Sequence, residues 1–169
     1  MTQVEINKQA HLSEHFTLGE ATKSRHAEIY NIPSHVAIEN LKRVCVWLEE
    51  LRTRYNQQYV FSRNEEGGRR NENTSEAPII IMSGYRSPQL NRKVGGSPTS
   101  NHLTGCAVDI RVAGIEQAMR YAVILMDYAD ETKQDYDEIL IEKNRYGAIW
   151  VHFAVRPKDN RRKTMMLQV

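Results

Sequence analysis

The chain is poor in cysteine, with two in 169 residues. Cys45 and Cys106 stand far apart, so no disulfide framework holds the fold. Long apolar runs are also missing. None approaches the roughly 20 residues a membrane-crossing helix needs, which excludes a transmembrane segment. The opening Met1-Thr2-Gln3-Val4-Glu5-Ile6-Asn7-Lys8 lacks the apolar core of a signal peptide, so the expectation is a product made in the cytosol whose export needs another route. An excess of one charge is absent too: 23 basic against 21 acidic residues leave a formal +2, too little to argue for nucleic acid as a partner. No internal repeat is visible. What is present, 40% hydrophobic and 26% charged residues, is close to the globular average. A chain of this length buries one good core, and a single domain over residues 1–169 is expected.

Thr17-Leu18-Gly19-Glu20 predicts a capping box, with Phe16 and Ala21 placed as a hydrophobic staple, opening a short helix. After Asn31-Ile32-Pro33-Ser34 a long amphipathic helix runs to about Tyr55, its inward stripe being Ile38, Leu41, Cys45, Leu48, Leu51 and Tyr55. Residues 63–77, rich in Asn, Glu, Gly and Arg, read as a polar insertion at the surface. Strands are expected over Pro78 to Met82, Cys106 to Val112, Tyr136 to Glu142 and Ile149 to Val155, the last two joined by the Lys143-Asn144-Arg145-Tyr146-Gly147 turn. Between them lie a short helix over Gln89 to Val94 and a long one over Gly114 to Tyr128. The long helix turns Ile115, Ala118, Ala122, Leu125 and Ala129 inward, with Met119 and Met126 as core packing. The class is α+β, an antiparallel sheet backed by helices. Arg156, Lys158, Arg161, Arg162 and Lys163 read as a solvated basic tail over about 156–169, ending in an apolar Met165 to Val169 that adds a strand edge or packs locally.

The chemistry concentrates in Ser100-Asn101-His102-Leu103-Thr104-Gly105-Cys106-Ala107-Val108-Asp109 and, downstream, Trp150-Val151-His152. Two imidazoles and one carboxylate are ligands of the kind Zn²⁺ accepts, and three protein ligands leave a fourth position for water or substrate, the arrangement of a catalytic zinc. His102 follows a turn-rich stretch while Asp109 and His152 lie on strands, so loop and strand ligands can converge. Alternation puts Asp109 on one face with Ala107, away from Cys106, Val108 and Ile110. It puts His152 with Trp150 and Ala154, making Trp150 an aromatic wall. His11, His15, His26 and His35 read as ordinary hydrogen-bonded histidines. Two histidines and an aspartate are by themselves a common coincidence; the pattern around them is what carries weight.

That pattern, Ser-x-His-x-x-Gly-x-Ala-x-Asp followed by Trp-x-His, resembles the zinc peptidases of the D-alanyl-D-alanine carboxypeptidase and L-alanyl-D-glutamate endopeptidase group. Ser100, His102, Gly105, Ala107 and Asp109 fill every fixed position of the first motif. Ser83-Gly84-Tyr85-Arg86-Ser87-Pro88, Leu90-Asn91, Val94-Gly95-Gly96 and Phe16-Thr17-Leu18-Gly19-Glu20 are similar to that family as well, so the likeness covers most of residues 15 to 155. The resemblance implies a hedgehog or D-Ala-D-Ala-peptidase-like fold and one zinc held by His102, Asp109 and His152. It also implies that Arg86 holds a substrate carboxylate or steadies the developing oxyanion, as its planar, permanent charge suits. Ser100 would orient the site by hydrogen bonding, and Ser100 and Trp150 would line the substrate site with Arg86.

Relatives with an acid three residues before the last ligand differ from this chain, which has Ile149 there. Glu142, at the end of the preceding strand, is the best substitute for a general base; Glu138 shares its face and Asp137 is close. The implied reaction is metal-assisted amide hydrolysis in peptidoglycan stem peptides. Cys106, inside the motif, reads as a small core residue. No separate wall-binding module is visible. A cell-wall peptidase without a signal peptide fits a phage lysin or prophage remnant, acting on the wall once released. The alternatives are a catalytically silent relative that keeps the metal and binds a peptide or wall component, and a tail-associated anchor. Which peptide bond is cut, and oligomeric state, stay open at this level.

Overall fold

The computed structural model describes residues 6–61 and 75–169, so most of the polar insertion at 63–77 lies outside the described residues. The first helix, α1 (Leu18–Thr22), starts with the expected capping box. Thr17 accepts from the Glu20 backbone, and Glu20 reaches back to the Thr17 N–H at 2.8 Å. Helix α2 (His35–Tyr55) is capped by Ser34 and buries the predicted stripe from Leu41 to Tyr55, with Val44 and Trp47 added to it, while Ile38 is partly buried against the core. A single π-helical turn, Asn56–Phe61, follows. Asn56 then ties it to the chain entering the sheet through paired bonds with the Ala77 backbone at 2.7 and 3.0 Å.

The strands are β1 (Ile81–Ser83), β2 (Ala107–Arg111), β3 (Glu138–Lys143), β4 (Ile149–Ala154) and β5 (Lys163–Gln168), in the order β1-β2-β4-β3-β5. Between β1 and β2 come α3 (Pro88–Lys93) and the 3₁₀ turn Asn101–Thr104; α4 (Ile115–Thr132) links β2 to β3. The first four strands pair antiparallel, as expected, whereas β5 runs parallel to β3, making the sheet mixed. The basic C-terminal stretch is mostly exposed, as expected, but it is not a free tail. Its last residues are an edge strand, and Arg156 and Arg161 are committed to the buried Asp137. A buried carboxylate recruits cations that composition alone leaves in solvent.

Helices α2 and α4 cover one face of the sheet. Val108, Ile110, Ile139, Ile141, Val151 and Phe153 point into that core. Trp47 joins the layers, its ring 4.9 Å from Tyr128 on α4 and 5.4 Å from Phe153 on β4. On α4 the inward stripe passes through Ala118, Tyr121, Ala122, Leu125, Tyr128 and Ala129. Ile115 and Met119 lie on the next row and are exposed, contrary to the expectation of core packing, while Met126 packs against the core. Small alanines let α4 approach closely, and two tyrosines take the volume assigned to the outer row. Among the described residues no helix is long and apolar enough to cross a membrane.

Candidate metal centre

The opposite sheet face carries polar residues. The register sets Asp109 directly across from His152, and Leu140 across from His152 on its other side. Because alternate residues share a face, Asp109, Arg111, Trp150, His152, Glu138 and Glu142 all project from this face, with Ser83 of β1 opposite Asp109.

His102 comes from the 3₁₀ turn rather than from a strand. Ser100 caps that turn, its hydroxyl accepting from the His102 N–H, and so helps to orient the candidate ligand His102. Gly105 ends the turn at φ +74°, and a Cβ there would lie 2.4 Å from the Ala37 carbonyl oxygen. Only glycine suits both the left-handed backbone and this approach to α2. Asn40 of α2 donates to the Thr104 carbonyl at 2.9 Å, holding the turn from the same side.

His102, Asp109 and His152 are all buried, and each offers a ligand atom within 4.8 Å of the others. His102 Nε2 lies 3.3 Å and His152 Nδ1 3.0 Å from the same oxygen, Asp109 Oδ1. The outer nitrogens are both engaged. His102 Nδ1 donates to the Gly84 carbonyl at 2.6 Å, and His152 Nε2 donates to Glu138 Oε2 at 3.1 Å. Anchoring the outer N–H fixes the ring and directs the other lone pair inward, which is how zinc-ligating imidazoles are held. The donor set of two nitrogens and one carboxylate oxygen fits zinc with a position left open. The group is this compact because Gly84 sits against α1: a Cβ there would be 2.3 Å from the Ala21 carbonyl, which accepts from the Tyr85 N–H.

Arg86 Nη2 donates to Asp109 Oδ2 at 2.7 Å and Nε to Ser83 at 3.0 Å. Its first task is therefore to hold the outer oxygen of Asp109, leaving Oδ1 for the histidines. Trp150 is half-buried, and its indole N–H donates to Glu142 Oε2 at 2.5 Å. Cys106 is buried but stands outside the cluster.

The electrostatics separate the carboxylates. For Asp109 burial opposes ionisation, but the His102 and His152 rings outweigh it and hold the carboxyl far below its usual range. Glu138 is lowered to about 2, first by its bond from His152 and against the cost of burial. Glu142 moves the other way: burial raises it, and Asp109 adds to the rise against the opposing pull of His152 and Trp150. Burial disfavours the charged His152 ring, yet Asp109 and Glu138 together push it up to about 9.

The motif reading singled out the three candidate ligands, Arg86, Ser100, Trp150 and Glu142, and the structure gathers them around one sheet face. It missed Asn101, whose amide donates to Asp137 at 2.7 Å and to Glu138 at 3.0 Å while its oxygen accepts from Arg156 at 2.8 Å. The only signal for it was its place inside the motif, next to His102.

Comparison with known proteins gives one family match. A family model described as Peptidase M15 matches residues 68–135. The chain is similar to that family over this segment, which supports a peptidase and, with the histidine and aspartate cluster, a metal-dependent one. The matched stretch contains Arg86, Ser100, His102 and Asp109 but not Glu142, Trp150 or His152, whose place in the site comes from the strand register. No curated protein matches the chain.

Proposed function

We propose that the chain is a zinc-dependent peptidase that hydrolyses amide bonds in peptidoglycan stem peptides, of the D,D-carboxypeptidase or L-Ala-D-Glu endopeptidase type, and that it serves as a phage or prophage lysin. The observation that supports this best is the convergence of His102 Nε2, Asp109 Oδ1 and His152 Nδ1, with both outer imidazole nitrogens anchored. His102, Asp109 and His152 would hold the ion, which when bound supplies Lewis acidity toward the scissile carbonyl and toward water.

The residues of the chain divide the remaining work. Glu142 is the general base. Its raised carboxyl takes the proton of the attacking water and passes it to the leaving nitrogen, whereas Glu138, lowered and saturated with donors, is a poor proton carrier. Environments that drive two neighbouring carboxyls apart mark which one moves protons. Trp150 aims Glu142 through its indole N–H and walls the site. Arg86 keeps Asp109 oriented, and the rest of its guanidinium would hold a substrate carboxylate or steady the developing oxyanion.

The test is mass analysis of muropeptides after incubation with the zinc-loaded protein and with Glu142→Gln. The parent should release a defined fragment that identifies the bond, and the variant should retain zinc and fold while losing about 10²–10⁴-fold in rate. If Glu142→Gln cleaves like the parent while Asp137→Asn does not, the base is another residue. A parent that binds zinc and cleaves nothing across several wall chemotypes supports instead a silent, metal-keeping binding module.

A further inference from the structure

Glu138 is the carboxylate that touches a metal-site histidine from outside, and the C-terminal segment holds it in place. Its Oε2 accepts from His152 Nε2 at 3.1 Å and from Asn101 at 3.0 Å, and its Oε1 accepts from Arg161 at 2.9 Å. The same Arg161 forks onto the neighbouring Asp137, Nε to Oδ1 at 2.9 Å and Nη2 to Oδ2 at 2.7 Å. Asp137 has no exposed side-chain surface, and Arg156 also meets it, at 3.2 Å. The backbone closes this clasp: the Arg162 N–H donates to the Tyr136 carbonyl and the Lys163 N–H to the Asp137 carbonyl, so β5 begins opposite Glu138.

We propose that Arg161, assisted by Arg156, is a positioning residue for the metal centre, and that the C-terminal strand thereby completes that centre by pressing Glu138 onto the outer nitrogen of His152. The inference rests on the metal-centre reading above. The argument is one of remaining freedom. A glutamate side chain on a strand has several rotatable bonds, and His152 and Asn101 both meet its Oε2, leaving Oε1 to Arg161 at 2.9 Å, with the Lys163 ammonium farther off at 3.9 Å. Arg161 spans two successive carboxylates with one planar fork, which a flexible point charge cannot do. With Glu138 fixed, rotation of the His152 ring breaks the bond at Nε2, so Nδ1 stays aimed at the cluster. Asn101 extends the same network to the turn bearing His102, so both histidine-bearing elements are referenced to one set of charges. Partners outside a ligand shell are worth roughly 10–100-fold in metal affinity.

The experiment measures zinc affinity of the full chain by competition with a chromophoric chelator, and the absorption spectrum of the cobalt-loaded protein. Arg161→Ala should bind zinc about 10–100-fold more weakly and change the cobalt spectrum. Arg161→Lys, which keeps a cation beside buried Asp137 but cannot span both acids, should fold and show a smaller loss. Arg162→Ala, which breaks pairs to Asp130 and Asp135 on the same segment, should leave zinc affinity unchanged. In a Glu138→Gln background Arg161→Ala should cost nothing further, since its effect passes through the Glu138 charge. Parent-like affinity in both Arg161 variants, an equal loss in Arg162→Ala, or full additivity with Glu138→Gln would overturn the proposal. A parent that takes up no zinc overturns the metal-centre reading along with it, whereas a zinc-binding parent with unaffected Arg161 variants overturns the clasp alone.

Discussion

In the metal-free protein His152 carries a proton that an incoming ion must displace, and the size of that cost follows from its neighbours. Burial disfavours the imidazolium, but Asp109 at 3.0 Å and Glu138 at 3.1 Å raise it to about 9. A solution at pH 7 lies about two units below that value, so proton displacement weakens apparent zinc affinity roughly 100-fold relative to a pH well above it. Affinity should climb about tenfold per pH unit between pH 7 and 9, and uptake near pH 7.5 should release about one proton from this ring. Asp109 and Glu138, both held below the usual carboxylate range, stay ionised throughout and add no slope. The same shift makes a stability statement of definite sign. A histidine raised from 6.5 to about 9 stabilises the metal-free fold fully below pH 6.5, and this contribution, about 3 kcal/mol, is lost as pH rises through about 9. Chelator competition across pH, with calorimetry in buffers of different ionisation enthalpy, measures both. Zinc uptake at pH 7.5 without proton release, or an affinity flat from pH 7 to 9, would refute the reasoning.

Two further outcomes follow from the same face of the sheet. Arg86→Ala strips one partner from a buried carboxylate that keeps its two histidine contacts, and should cost the metal-free fold about 3 kcal/mol as well as lowering peptide turnover, read by thermal unfolding and kinetics; unchanged melting would mean that the histidines hold Asp109 by themselves. Trp150→Phe keeps the aromatic wall but deletes the donor that lowers Glu142, so the acid limb of the kcat/KM profile should move to higher pH. An unmoved limb would place the titrating base elsewhere.

What could be read without coordinates was whatever obeys a local rule. The capping box of Thr17 and Glu20, the α2 stripe and the strand alternation around Asp109 and His152 depend on neighbours a few residues away, and all three appear as expected. Residue chemistry was legible on the same terms, because Ser100, His102, Gly105, Ala107 and Asp109 stand close together in the chain. Partnership across distance was not. That Arg86 serves Asp109, that Glu138 rather than Glu142 buttresses His152, and that the basic C-terminal stretch folds back as β5 beside β3 each join residues far apart in sequence. Local pattern sets Glu138 and Glu142 on one face of one strand and prefers Glu142 only for its place at the strand end. Burial and donors distinguish them: Asn101, His152 and Arg161 converge on Glu138 and lower it, while Glu142, with the Trp150 indole as its donor, is raised by burial. Composition decides how many charges the chain carries, but only the tertiary structure decides which of them leave water, and in a low-dielectric interior that choice sets their protonation and their function.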